Sequence, residues 1–369
     1  MMPALSRSVL ACATVACVVG AAASTSAGAQ QQPAPTFTVG TATASRGATA
    51  VGVIPVPAGS DSGLNIPVAV IHGAQPGPVV AFVAGSHGTE YTSIVALQRL
   101  IPRIDPRQLS GTVVIVPILN IPSIETMTPH VNPVDRKGMN SSYPGDSAGT
   151  QTQRALAAMT REVIVPADVI VDLHGGDLDE DLRPYSYWFR GGRPAQDSAS
   201  LALALAFGLD HIIVTDVDPA APTAGRSLSS QALVRGKTVL VAEAGRSGVV
   251  APDDLTKLSE GSLNVLAALK MIERSVLPLK TPIWLAGAGA RVSADAGGMF
   301  FATVGRDVTV AAGQVVGYTT DYLGRRTGEI KAPVAGLVTF IRGVPSMWPR
   351  ATLVNIAPVL PQPGPWKAP

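Results

Sequence analysis

Val169-Ile170-Val171-Asp172-Leu173-His174-Gly175-Gly176 is an apolar run that ends on an imidazole and two glycines. A continuous apolar run, unlike an alternating one, marks a strand covered on both faces. Helical spacing flanks it, from Gln151 to Val165 before and from Ala195 to Phe207 after. The same figure recurs along the chain. Val79-Val80-Ala81-Phe82-Val83 runs into Gly85, and helical spacing follows from Glu90 to Leu100. Further β-type runs lie at Thr112 to Leu119, Ile212 to Thr215 and Val239 to Ala242, with a helix at Asp253 to Glu273. Apolar strands separated by helices predict an α/β fold with a largely parallel sheet and helices on both faces.

The pattern changes after Pro278. From Pro282 to Ala357 the signals are short strands and Gly-rich turns without a helix, which predicts a small C-terminal all-β domain. Lys331-Ala332-Pro333-Val334-Ala335-Gly336 resembles the turn of biotinyl/lipoyl-like sandwiches, but no Lys sits at a hairpin tip. A spacer or lid is therefore expected there, not a group carrier. At the other end, Arg7 precedes the apolar run Val9 to Ala23 and Ala27-Gly28-Ala29, the pattern of a secretory signal cleaved after Ala29. The expected division is 1–29 signal peptide, 30–50 leader or linker, 51–278 catalytic domain, 279–360 β domain and 361–369 tail.

Composition narrows the function classes. The 369 residues are 46% hydrophobic and 15% charged, which excludes a disordered polyelectrolyte. A formal net charge of +2 gives no field for a nucleic-acid backbone. Both cysteines, Cys12 and Cys17, fall in the signal segment. The mature chain, 369 − 29 = 340 residues, then has no disulfide, thiolate ligand or Cys nucleophile. Export to the periplasm or the medium is expected, with no stable membrane insertion after cleavage. A homo-oligomer is left open.

Four segments carry chemistry. Gly85-Ser86-His87-Gly88-Thr89-Glu90 sets an imidazole and a carboxylate three residues apart where a strand turns into a helix. Asp172-Leu173-His174-Gly175-Gly176 ends another strand, and strand ends of parallel sheets border the ligand crevice. His87, Glu90 and His174 would converge there, and two His with one carboxylate and an open position make a hydrolytic zinc site. Asp172, two residues before His174, points the same way and is a candidate partner to orient that ligand. Glu243, in Ala242-Glu243-Ala244-Gly245, is an isolated acid at the end of an apolar run. It is a general-base candidate beside a metal and a salt-bridged carboxylate otherwise. The fourth segment is the polar loop Asn132-Pro133-Val134-Asp135-Arg136-Lys137-Gly138-Met139-Asn140-Ser141. Asp177, Asp179, Glu180 and Asp181 form an acidic stretch that would favour a cationic substrate or simply be solvated. Tyr185 and Tyr187 lie on one strand face and line a pocket or the core.

In this order the segments resemble the succinylglutamate desuccinylase/aspartoacylase family, related to the zinc carboxypeptidases, from about Ile54 to Ala357. The resemblance implies a carboxypeptidase-like mixed sheet around one Zn2+ per chain. It implies His87, Glu90 and His174 as ligands and Glu243 as base. The implied reaction is hydrolysis of a small amide, an N-acylated amino acid or amine, by zinc-activated water. Two departures matter. The family's loop Asn is usually followed by an Arg that holds a substrate carboxylate, whereas Asn140 precedes Ser141. The family's oxyanion Arg before Asn-Pro has its nearest counterpart in His130. The expected site is therefore Glu243 and His130 as catalytic residues, with Asn140, Arg136, Ser141 and Tyr187 against substrate. Arg136, Lys137 or Arg246 would supply the missing positive charge. The alternatives are a metallocarboxypeptidase acting on peptides or cell-wall fragments, and a zinc-containing binding protein without catalysis. His72 and His211 read as structural.

Overall fold

The computed structural model describes residues 35–367 except 222, 223 and 288. The expected signal peptide, 1–29, lies outside the described residues. The elements that position the site are eleven strands and six helices. The strands are β1 (Ala48–Val56), β2 (Leu64–His72), β3 (Gln75–Val83), β4 (Ser110–Val116), β5 (Val169–His174), β6 (Glu180–Arg190), β7 (His211–Asp216), β8 (Thr238–Arg246), β9 (Ile283–Ala286), β10 (Gly336–Arg342) and β11 (Thr352–Ala357). The helices are α1 (Tyr91–Leu100), α2 (Ile121–Thr126), α3 (Gln151–Met159), α4 (Pro194–Phe207), α5 (Leu228–Val234) and α6 (Pro252–Ala268).

One large mixed sheet runs in the order β11-β10-β6-β8-β5-β3-β4-β2-β1, with β7 and β9 branching from β6. Pairing is parallel only at its centre, across β4-β3-β5-β8 and along β6-β7-β9. Both flanks are antiparallel, through β2 and β1 on one side and β6, β10 and β11 on the other. "Largely parallel" thus describes the core, whose strands are joined by helical crossovers; hairpin-type connections add the flanks.

Helices cover both faces of this core. Leu97 of α1, Leu203 of α4 and Leu258 of α6 pack with Val169, Val171 and Leu173 of β5. Leu156 of α3 and Leu233 of α5 pack with Ile170 on the opposite face. Strand alternation explains the split: odd-numbered residues of β5 face one way and even-numbered ones the other. The helix ends are encoded locally. Pro194 opens α4 and Gly208, at φ 97°, closes it in the left-handed region. Asp253 and Asp254 stand in the first turn of α6, where the helix dipole favours anions. Among the described residues no helix is long and apolar enough to cross a membrane.

Two expectations about chain organisation change. Within the expected linker 30–50, Thr36–Val39 and Ala42–Ser45 form a hairpin. Its Val39, Ala42 and Ala44 are buried with Ile54 and Ile66, so apolar burial draws these residues into the fold. The C-terminal all-β region is present, but it is a wall and not a spacer. Phe340, Ile341 and Arg342 of β10 pair with Leu182, Asp181 and Glu180 of β6. Ile283–Ala286 pairs in parallel with His211–Val214. His72 and His211 are structural, bonded to Thr112 and to Arg183 with Asp210.

Candidate active site

One rung of the sheet builds the centre. In the parallel register Glu243 of β8 stands beside His174 of β5, and in the antiparallel register it stands beside Tyr185 of β6. Residues on one rung project from the same face. His174 and Glu243 thus share the face of Ile170 and Val241, not that of Leu173 and Ala242. The glycines after them answer to crowding. A Cβ on Gly176 would lie 2.4 Å from Glu180 O and 2.7 Å from Arg246 Cα. Gly85 turns the end of β3 at φ 66° and delivers His87 and Glu90 to the same rim.

Glu90 is the hub. Its Oε1 lies 2.6 Å from His87 Nδ1, and its Oε2 lies 2.9 Å from His174 Nδ1. The Gly175 amide also donates to Oε2 at 3.0 Å. Burial would raise the Glu90 carboxyl, but His87 and His174 hold it well below the usual carboxylate range. The candidate ligand atoms of His87, Glu90 and His174 lie within 4.8 Å of one another. His174 Nε2 faces Asp172 Oδ1 at 3.2 Å and Asn140 Nδ2 at 3.0 Å. Asn140 Oδ1 accepts from Leu228 N at 3.4 Å, which ties the loop to α5.

Glu243 sits apart from this hub. Tyr185 donates to its Oε2 at 3.0 Å, and the Tyr185 ring meets Tyr187 edge-on at 5.3 Å. Burial pushes the Glu243 carboxyl up to about 7, the His174 charge pulls it down and Glu90 pushes it up. A carboxyl near neutrality can both take and return a proton. A cavity of about 320 Å³ joins these groups, and Tyr187 and Asn140 line it beside Glu243, His87 and His174.

Residues 76–269 match the Succinylglutamate desuccinylase/Aspartoacylase catalytic domain. The chain belongs to the succinylglutamate desuccinylase/aspartoacylase family. It is 30% identical to the N-alpha-acetyl-L-2,4-diaminobutyric acid deacetylase of Halomonas elongata over 261 residues, 69% of this chain and 74% of that one. A succinylglutamate desuccinylase/aspartoacylase from Rhodobacter sphaeroides superposes with a TM-score of 0.75 at 25% identity, covering 85% of this chain and 96% of that one. The product-bound ectoine utilization protein EutE (DoeB) from Ruegeria pomeroyi superposes with a TM-score of 0.77 at 22% identity, covering 89% and 100%.

Against the family's pattern, the polar loop divides. Asn140 reaches the rim, whereas Arg136 and Ser141 are exposed and do not line the cavity. Ser141 Oγ donates back to Gly138 O at 3.1 Å, and Lys137 Nζ donates to Gln153 Oε1 at 3.0 Å. Arg246 is exposed as well. None of these side chains lines the cavity.

His130 is near the rim, with its ring 6.0 Å from that of His87. It is held between Asp177 Oδ2 at 3.2 Å and Asp179 Oδ1 at 3.0 Å. Burial lowers its pKa, but the Asp179 hydrogen bond and the Asp177 charge outweigh that and raise it to about 9. Two members of the acidic stretch are thereby committed: Asp177 also accepts from Thr89 and Leu178 N, and Asp179 pairs with Arg342 at 2.9 Å. Glu180 of the same stretch lines the cavity. The sequence reading missed the far wall, where Phe340 and Asn355 close the cavity. One signal was available. Arg342 ends the apolar run Leu337 to Ile341, just as Glu243 ends its own.

Proposed function

We propose that this chain is a zinc-dependent deacylase that hydrolyses the amide bond of a small N-acylated amino acid. One observation carries the reading: two imidazoles and a carboxylate converge within 4.8 Å on the sheet face that also presents Glu243. Family membership and the likeness to a deacetylase of an N-acetylated diamino acid support it.

The donor set fits zinc, which takes imidazole nitrogen and carboxylate oxygen in open catalytic sites. With Nδ1 of His174 given to a metal, Nε2 is left to Asp172 Oδ1 at 3.2 Å and the Asn140 amide at 3.0 Å, which fix the orientation of the ring. His87, Glu90 and His174 would hold the ion, one per chain, which when bound would acidify water and polarise the acyl carbonyl.

The chain's own groups divide the remaining work. Glu243 takes a proton from the attacking water and returns it to the leaving amine, and Tyr185 fixes the carboxylate's orientation. His130, its ring 6.0 Å from that of His87, would meet the charge developing on the carbonyl oxygen. Residues 51–278 would supply the reaction centre and 279–360 the recognition wall. The first 29 residues would direct export to the periplasm or the medium.

The test is metal content by elemental analysis on the mature protein, for the parent and His174→Ala. The expected result is about one zinc per chain, lost in the variant. A screen of N-acyl amino acids follows, with Glu243→Gln as the control. Absence of metal after zinc reconstitution would sink the reading.

A further inference from the structure

A second cavity, of about 340 Å³, adjoins the first and shares Glu180, Phe340 and Asn355 with it. Three arginines, Arg291, Arg342 and Arg350, face it against two carboxylates, Asp179 and Glu180. Arg342 is already committed. Its Nη1 pairs with Asp179 at 2.9 Å, its Nε donates to Ser346 O, and its guanidinium lies 4.4 Å over the Trp348 ring. Arg342 and Asp179 thus neutralise each other.

Arg291 and Arg350 are different. Both are exposed, and among the described residues neither guanidinium has an ion pair or a hydrogen bond. They come from separate segments. Arg291 lies on the strand Ala290–Ser293, opposite Asn355 of β11 in the antiparallel register. Arg350 lies in the turn before β11 with φ 68°, held there by its amide donating to Ala294 O at 2.7 Å. A long side chain at a backbone angle that favours glycine costs free energy and is often kept at functional sites. Asn355, between the two cavities, has a buried Oδ1 with no hydrogen bond.

We infer that this chamber is an anion subsite for a carboxylate that the substrate carries at the end remote from its scissile amide, gripped by Arg291 and Arg350 with Asn355 at the passage between the cavities. The inference rests on the deacylase reading and narrows it to N-acyl compounds ending in a carboxylate several bonds from the amide. Guanidinium groups bind carboxylates through paired N–H donors, which a serine cannot imitate. The charge absent at Ser141 is supplied instead from the C-terminal wall.

Two matched substrate pairs and one ligand test it. In the first pair a common uncharged amine is acylated with glutarate or with glutaramate. In the second, an acetylated amine ends in a carboxylate or a carboxamide. In at least one pair the parent should prefer the carboxylate about tenfold in kcat/KM, mostly through KM. In R291Q/R350Q that preference should fall to about twofold or less. Arg325→Gln, an exposed arginine of the same β region outside the cavity, controls for the loss of a surface arginine and should keep the preference. Calorimetric titration of glutarate should show binding to the parent and none to the double variant. No preference in either pair, or a preference retained by R291Q/R350Q, would overturn the inference. If the parent hydrolyses nothing, glutarate decides. Binding lost in the double variant upholds the subsite while the deacylase reading fails. Glutarate unbound by the parent, or bound equally by both proteins, overturns the subsite.

Discussion

The rim of the parallel core and the C-terminal wall border adjoining cavities but are built on opposite terms. At the rim the side chains are held by several partners, and those on β5 are buried; Asp172 is 1% exposed and His174 5%. At the wall, Arg291 and Arg350 are long, exposed and unpaired. Bond-making chemistry loses rate steeply when groups drift, so it is placed where packing forbids drift. Recognition of a charge at a distance tolerates motion, and long cations on a sheet edge suffice for it.

The sharpest way to break this contrast is at Glu243. Glu243→Gln should lower kcat about 10²–10⁴-fold while zinc content stays at the parent's value. Equal losses from Glu243→Gln and R291Q/R350Q on a carboxamide substrate would erase the distinction. Packing comes next. Phe82 is 0% exposed in the central strand, and Phe82→Ala should cost about 3–5 kcal/mol in urea unfolding. Phe340, which has one side on the cavity, should cost less by the same measurement. Asn140→Ala should lower zinc affinity and activity together by about 10–100-fold, read by competition with a chelator and by rate.

The smallest effect lies between rim and wall. His130 has its pKa raised from 6.5 to about 9, so the stabilisation from Asp177 and Asp179 is fully present below pH 6.5 and fades as pH rises through 9. With the ring 38% exposed, screening keeps this below about 1 kcal/mol. Urea midpoints from pH 6 to 10 should fall more for the parent than for His130→Gln, and parallel curves would remove His130 from the electrostatic account.

The parallel core was legible because both-face burial leaves continuous apolar runs, as in Val79 to Val83 and Val169 to Leu173. His174 and Glu243 could be picked out because each stands at the end of an apolar run, and Glu90 because it lies three residues after His87 where a strand turns into a helix. The wall could not be read this way. Arg291 and Arg350 sit in a region of short strands where an exposed arginine is ordinary, and only sheet register brings them to the cavity. The polar loop misled for a related reason. Arg136 and Ser141 share a loop with Asn140, but the turn aims only Asn140 inward.

The shared rung of His174, Glu243 and Tyr185 has a practical corollary. A slip of one residue between β8 and β5 would bring Ala242 or Ala244 to the place of Glu243 and turn the acid to the opposite face. A misregistered chain therefore cannot be partly active. In a refolding or secretion experiment, turnover per milligram becomes a census of correctly threaded molecules, reporting sheet assembly that far-ultraviolet dichroism would score as complete.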